Sequence, residues 1–322
     1  MTAAIEQWAE QVCAGNLRAL SRAITLVENR APEAHELLRA LFPYSGHARV
    51  IGLTGAPGAG KSTLVDALAR EFRKQEKTVG IIAVDPSSPY TGGAILGDRI
   101  RMQSQYADPG TFIRSMATRG SLGGLASATA DVATVLDANG RDVVLIETVG
   151  VGQDEVDIVR LADITLVVLV PGMGDDVQSI KAGIMEIADI FVINKADREG
   201  ADRVEREVRA MQSLAMRHDE WVPPVVKTVA NSGEGIPQLA SEIARYEEFL
   251  NNSEVGKRRR IANWRSRLQE MLREEVLERV VRPRLDDATA ERYATDISEH
   301  TRDPYTLMEE ILEGIMEPSP DE

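Results

Sequence analysis

Val50-Ile-Gly-Leu-Thr54-Gly55-Ala56-Pro57-Gly58-Ala59-Gly60-Lys61-Ser62-Thr63 is the stretch that decides the fold. Val50–Thr54 is an apolar, strand-like run. Gly55–Ser62 fits the pattern G-x-x-x-x-G-K-[ST] without a mismatch, and a helical pattern, Ser62–Lys74, runs out of it. Strand, glycine-rich turn and helix in that order make a phosphate cradle. The glycines let the backbone curl so that several N–H groups from Gly55 to Gly60 aim at one phosphate chain. The helix start adds the positive end of its dipole. Lys61 is expected to bring its ammonium to the β- and γ-phosphates, Ser62 to ligate Mg2+, and Thr63 to reach the α-phosphate.

Outward from this loop the chain alternates. Apolar runs recur at Val79–Val84, Thr111–Met116, Val143–Ile146, Ile164–Val170, Ile190–Ile193 and Val225–Val229, with helical patterns such as Arg203–Met216 between most of them. Strands with little polar alternation, separated by helices, predict a mostly parallel sheet covered on both faces. Ligands in such α/β folds bind at the carboxyl ends of the strands. The alternation spans residues 47–251. Residues 1–46 read as an N-terminal helical extension: Ile5, Trp8, Val12, Leu20, Ile24 and Val27 recur at helical steps, and Pro32 opens a second, short helix. Residues 252–322 read as C-terminal helices. Lys257–Arg284 is a long charged amphipathic stretch with Leu268, Leu272, Val276 and Val280 at four-residue steps. Its basic cluster Lys257–Arg260 reads as a solvated helix face or as a dock for an acidic partner.

Three later strand ends carry chemistry. Ile190–Ile193 leads into Asn194-Lys195-Ala196-Asp197. A carboxylate at Asp197 accepts from both N1–H and the exocyclic amine of guanine, whereas adenine leaves it unpaired. Losing a hydrogen bond to a buried charge costs about 1.5–3 kcal/mol, so guanine is the expected base. Val225–Val229 leads into Val229-Ala230-Asn231, where GTPases usually carry Ser-Ala-Lys. Val229 and Asn231 depart from that pattern, so the Ala230 N–H is the contact expected at guanine O6. Val143–Ile146 leads into Glu147-Thr-Val-Gly150, where small GTPases carry Asp-x-x-Gly. Glu147 is expected to hold the Mg2+ shell from one methylene further away, and the Gly150 N–H to sense the γ-phosphate.

Asp85 follows Val79–Val84, and the loop after it ends at Asp98-Arg99. Asp85 and Asp98 are candidates to orient water, ligate Mg2+ or offset charge, with turn-forming or capping duty as the alternative. Gln153 stands three residues past Gly150 rather than one and is a candidate for orienting water. Arg99, Arg101, Arg114 and Arg119 could each supply a stabilising arginine or form ordinary ion pairs. The four histidines are scattered and predict no metal cluster.

Composition narrows the classes further. The 322 residues are 43% hydrophobic, enough for a sizeable core, and only 4% aromatic. A formal net charge of −14 argues against nucleic acid and against anionic membrane as partners. The lone cysteine, Cys13, sits among helix-spaced apolar residues and reads as a small core side chain. The first residues, Met1–Glu6, carry neither a basic region nor a long apolar run, so a secretion signal is not expected there, and Ile164–Val170 is too short to span a bilayer. The expectation is a cytoplasmic protein; a processed mitochondrial matrix protein would read the same.

These segments resemble one family. VDPSSPYTGGAILGDRIRM (84–102), ETVGVGQ (147–153), VPGMGDDVQSIKAGIMEIADIFVINKAD (170–197) and NSGEGI (231–236) look like the MeaB/ArgK family, over roughly residues 50–240. The resemblance implies a G-protein chaperone of adenosylcobalamin-dependent methylmalonyl-CoA mutase. Such a protein uses GTP binding and hydrolysis, with Mg2+, to gate cobalamin loading and protect the mutase. It implies a dimerising P-loop GTPase related to signal-recognition-particle GTPases, with C-terminal helices that make a homodimer. It also implies that Pro171–Asp176 is an additional switch loop. Three other readings compete: a nickel- or cobalt-insertion GTPase, an ATP-dependent kinase of amino-acid transport binding proteins, and a non-hydrolysing interaction module. The absence of His or Cys tracts, Asn194–Asp197, and the complete phosphate and magnesium motifs argue against them in turn.

Overall fold

The structure, a computed structural model, describes residues 2–85, 108–117, 124–148, 161–172, 187–214, 221–283 and 285–316. The chain divides into two compact units, Met1–Asn263 and Trp264–Glu322.

In the first unit, strands β1 (Arg49–Thr54), β2 (Val79–Asp85), β3 (Thr111–Ala117), β4 (Val143–Glu147), β5 (Ile164–Leu169), β6 (Ile190–Asn194) and β7 (Val225–Thr228) form one sheet. Its order is β3-β2-β4-β1-β5-β6-β7, and every neighbouring pair is parallel. From β1 the chain steps out to β2 and β3, returns to β4, then crosses to β5, β6 and β7. The order therefore reverses at β1, which opens a crevice at its carboxyl end. This is the α/β fold expected from the apolar runs. All residues of β4 and β6 are buried, as strands covered on both faces require.

Alternating side chains feed two layers. Ile51, Leu53, Ile81, Leu145, Leu166 and Val192 pack with α4 (Lys61–Lys74) and α7 (Ile236–Asn252). On the other face, Ile82, Val84, Val144 and Ile146 pack with α1 (Ala3–Cys13), α2 (Leu17–Glu28), α3 (Ala34–Leu41) and α5 (Gly124–Ala138). Val167, Phe191 and Ile193 pack with α6 (Ala201–Leu214). The N-terminal helices thus share a core with the sheet. Cys13 packs half-buried against that core, and burial pushes its thiol pKa up.

The N-terminal apolar pattern, Ile5 to Val27, is two helices rather than one. Gly15 adopts φ +80°, and the Asn16 side chain accepts from the Arg18 and Ala19 N–H groups at 2.9 and 3.0 Å, starting α2 afresh. The entry to β1 is held by Asp137 of α5, which accepts from the N–H groups of Gly46, His47 and Ala48 at 2.5, 3.1 and 2.8 Å.

The boundary between the two units falls within the residues of α8 (Glu254–Val276). The stretch expected to continue to Arg284 leaves α-helical geometry at Leu277–Val281, a π turn, so the four-residue step fails at Val280. Helices α9 (Asp287–Ser298) and α10 (Pro304–Met316) follow. Within the second unit, Trp264, Leu268, Met271, Leu272 and Val276 are exposed on α8, and Tyr305, Met308 and Leu312 on α10. Among the described residues, no helix is long and apolar enough to cross a membrane.

Candidate nucleotide site

The glycine-rich turn leaves β1 at the centre of the sheet and starts α4. Gly55 has φ +142°, and a Cβ there would stand 2.2 Å from the Val168 carbonyl oxygen of β5. Gly60 caps α4 with φ +87°, and a Cβ there would stand 2.6 Å from Asn194 Nδ2. Both positions demand glycine for conformation and for room.

Lys61 is buried, and its Nζ folds back to donate to the carbonyls of Gly55 at 2.7 Å and Ala56 at 3.2 Å. The cation is thus stored at the mouth of the loop, beside the N–H groups. In the first turn of α4, Ser62 Oγ donates to Glu147 Oε1 at 2.6 Å. Glu147 closes β4 and is only 5% exposed, so two hard oxygen donors meet under the phosphate loop. Thr63 follows, half-buried.

The base-side loops are bound to the phosphate loop. Asn194, at the end of β6, is fully enclosed. Its Nδ2 donates to the Ala59 carbonyl at 2.9 Å, while Oδ1 accepts from Thr228 Oγ1 and from the Ala230 N–H, each at 3.2 Å. Lys195 takes φ +56°, a conformation uncommon for a side-chain-bearing residue, and its Nζ donates to the Gly58 carbonyl at 2.7 Å. Asp197 is exposed on the same turn. The following loop closes by an antiparallel bridge in which the Val229 N–H donates to Glu234 O at 3.0 Å. Ala230 is buried and Asn231 exposed. The Ala230 N–H, expected from sequence at guanine O6, meets Asn194 here.

Of the remaining expected residues, Asp85 closes β2 beside Ala117 of β3, its side chain outside the described residues. Asp98, Gly150, Gln153, Arg99, Arg101, Arg119 and Met173–Asp176 also lie outside them. Arg114 is on β3 and pairs with Glu28 of α2, Nε to Oε2 at 3.0 Å.

Two hydroxyls at strand ends escaped sequence reading. Thr228 supports Asn194, and Thr148 Oγ1 donates to the Leu53 carbonyl at 3.1 Å. The only signal was a threonine at the end of an apolar run. The basic cluster is also less uniform than expected. Arg259 leaves the solvated face and pairs bidentately with Asp189 at 2.6 and 2.8 Å, and Tyr246 donates to the same carboxylate at 2.6 Å. Lys257, Arg258 and Arg260 are exposed.

The family profile described as methylmalonyl Co-A mutase-associated GTPase MeaB matches residues 20–284. A relative in Pyrococcus abyssi is 50% identical over 318 residues, 97% of each chain. GTPase ArgK of Escherichia coli is 36% identical over 313 residues, 94% of this chain and 93% of that one. The mouse protein named methylmalonic aciduria type A homolog, mitochondrial, is 34% identical over 285 residues, 82% of this chain and 68% of that one. Among solved structures, one named LAO/AO transport system kinase superposes with a TM-score of 0.72 at 29% identity, covering 98% and 99% of the two chains. With the phosphate loop, the base-side loops and the acid of β4 gathered at one sheet edge, the chain belongs to the MeaB family of methylmalonyl-CoA mutase-associated GTPases.

Proposed function

We propose that this chain binds and hydrolyses GTP with Mg2+, and that its nucleotide state gates adenosylcobalamin loading of methylmalonyl-CoA mutase and protects that enzyme. The observation that carries the nucleotide half is the junction of two loops. Asn194 and Lys195 hydrogen-bond the carbonyls of Ala59 and Gly58, which ties the loop after β6 to the phosphate loop and supports reading the two as one seat. The mutase half rests on the family and on the mouse relative's name.

In this reading Asp197 selects guanine, and Lys61 leaves its two loop carbonyls for the better acceptors of the β- and γ-phosphates. Ser62 and Glu147 would hold Mg2+. Their side-chain oxygens lie 2.6 Å apart, and both are the hard oxygen donors this ion takes. Held there by Ser62 and Glu147, the ion would supply positive charge to offset the negative charge that develops on transfer. Asp98 is assigned to the same ion, Asp85 and Gln153 to the attacking water, Thr63 to the α-phosphate, and the Gly150 N–H to the γ-phosphate. Self-association as a homodimer is assigned to the C-terminal unit, whose α8 and α10 expose large apolar side chains.

The solved relative's name favours a second reading, an ATP-dependent kinase. One experiment separates them. GTP and ATP hydrolysis are measured with and without purified methylmalonyl-CoA mutase, and cobalamin transfer to the mutase is followed spectroscopically. GTP preference and stimulation by the mutase are expected. ATP preference would favour the kinase. GTP hydrolysis indifferent to any mutase would remove the chaperone role and leave the GTPase.

A further inference from the structure

The carbonyl of Leu53 receives two hydrogen bonds from one residue. The Thr148 N–H donates to it at 3.2 Å and the Thr148 hydroxyl at 3.1 Å. The first lies one residue past β4, just beyond the ladder in which Leu53 pairs with Glu147. The second is an addition, and it uses the carbonyl's remaining lone pair. Thr148 is 4% exposed, so its hydroxyl has no solvent to turn to.

The location gives this tie its meaning. Leu53 precedes Thr54 and Gly55, the root of the phosphate loop, where a Cβ on Gly55 would stand 2.2 Å from the Val168 carbonyl oxygen. Glu147 precedes Thr148 and reaches Ser62 Oγ at 2.6 Å. A glutamate has one more rotatable bond than the aspartate of small GTPases, and hence more freedom to lose on fixing its carboxylate. The clamp on the next residue fixes the backbone from which that longer side chain reaches, although it leaves the rotations of the side chain itself unchanged.

We propose that Thr148 is a positioning residue whose hydroxyl, through the Leu53 carbonyl, holds Glu147 at the depth where its carboxylate meets Ser62 and so sets the Mg2+ requirement of the nucleotide site. This rests on the GTP and Mg2+ reading above. A merely structural hydroxyl would change stability and leave the Mg2+ requirement alone.

The test follows release of a fluorescent GDP from the full-length chain across a Mg2+ titration, in wild type, Thr148→Val and Thr148→Ser. Valine keeps the shape and the backbone N–H, so the Leu53 carbonyl keeps a donor and the fold is retained; Thr148→Ala reads the same midpoint should the valine variant prove unstable. The Mg2+ concentration that half-slows release is expected to rise about fivefold in Thr148→Val, the factor one net hydrogen bond contributes. Thr148→Ser is expected to restore it, and GDP affinity in EDTA is expected to match wild type in all variants. An unchanged midpoint in Thr148→Val, or one in Thr148→Ser displaced as far as in valine, overturns the proposal. Wild-type release indifferent to Mg2+ would instead overturn the reading of the site itself.

Discussion

Replacing Gly60 by alanine tests whether the base and phosphate loops act as one seat. The substitution does two separable things. Gly60 sits at φ +87°, where an L side chain costs about 1–2 kcal/mol. The new methyl would also stand 2.6 Å from Asn194 Nδ2, closer than real contacts allow. Asn194 cannot simply swing aside, because its Oδ1 is held by Thr228 and Ala230 while Nδ2 is held by Ala59. The Asn194–Ala59 bond is then lost or stretched, at a further cost of about 1 kcal/mol.

A second glycine isolates the first cost. Gly15 has φ +80° with nothing within 4 Å of the position a Cβ would take, and it lies between α1 and α2, in the N-terminal helices. Gly15→Ala should lower stability by about 1–2 kcal/mol and leave nucleotide binding unchanged. Gly60→Ala should lower stability by about 2–3 kcal/mol and weaken GDP binding by at least about fivefold, since the displaced Asn194 is assigned to the proposed nucleotide site. Urea unfolding and titration calorimetry with GDP supply the two numbers. GDP affinity in Gly60→Ala equal to that in Gly15→Ala would refute the reasoning, because the junction would then be ornamental to binding.

Asp197→Asn should relax the preference for guanine and admit xanthine nucleotides, whose C2 oxygen accepts from the asparagine amide; competition among GTP, ATP and XTP reads it. Ending the chain after Asn263, which keeps Arg259 on Asp189, should yield a folded monomer by light scattering, and a persisting dimer would place self-association elsewhere. Asp108 is held below the usual carboxylate range, chiefly by its hydrogen bond from Arg73 and then by the Gly110 N–H. Its contribution is therefore complete above its unfolded pKa, near pH 4, and is lost as pH falls through the lower folded value. Asp108→Asn should cost about 1 kcal/mol at pH 7 and flatten the loss of melting temperature below about pH 4.

What was legible in the sequence, and what was not, divides along the strands. The seven apolar runs were readable because parallel strands buried on both faces need no polar alternation. The strand-end motifs of the candidate site were readable because a parallel sheet gathers the carboxyl ends of its strands, so each motif announces itself as polar residues after an apolar run. Asn16 was missed as a helix start because an asparagine between two apolar helical stretches keeps the helical spacing while its side chain resets the backbone. At the amino ends of the strands no local rule operates. Asp163 precedes β5 and accepts from the Val50 N–H of β1 at 3.0 Å; Asp189 precedes β6 and accepts from the Thr165 N–H of β5 at 2.8 Å. Each acid supplies an acceptor to the strand beside its own, and Asp189 then also takes Arg259, seventy residues on. Such pairs join positions distant in sequence, so periodicity is silent about them, and Arg259 looked like one more solvated charge among its neighbours. The same distance explains Thr148 and Thr228. Their hydroxyls act on the carbonyl of Leu53 and the amide of Asn194, and a threonine at the end of an apolar run already has a sufficient local reason to be there, its β-branched side chain.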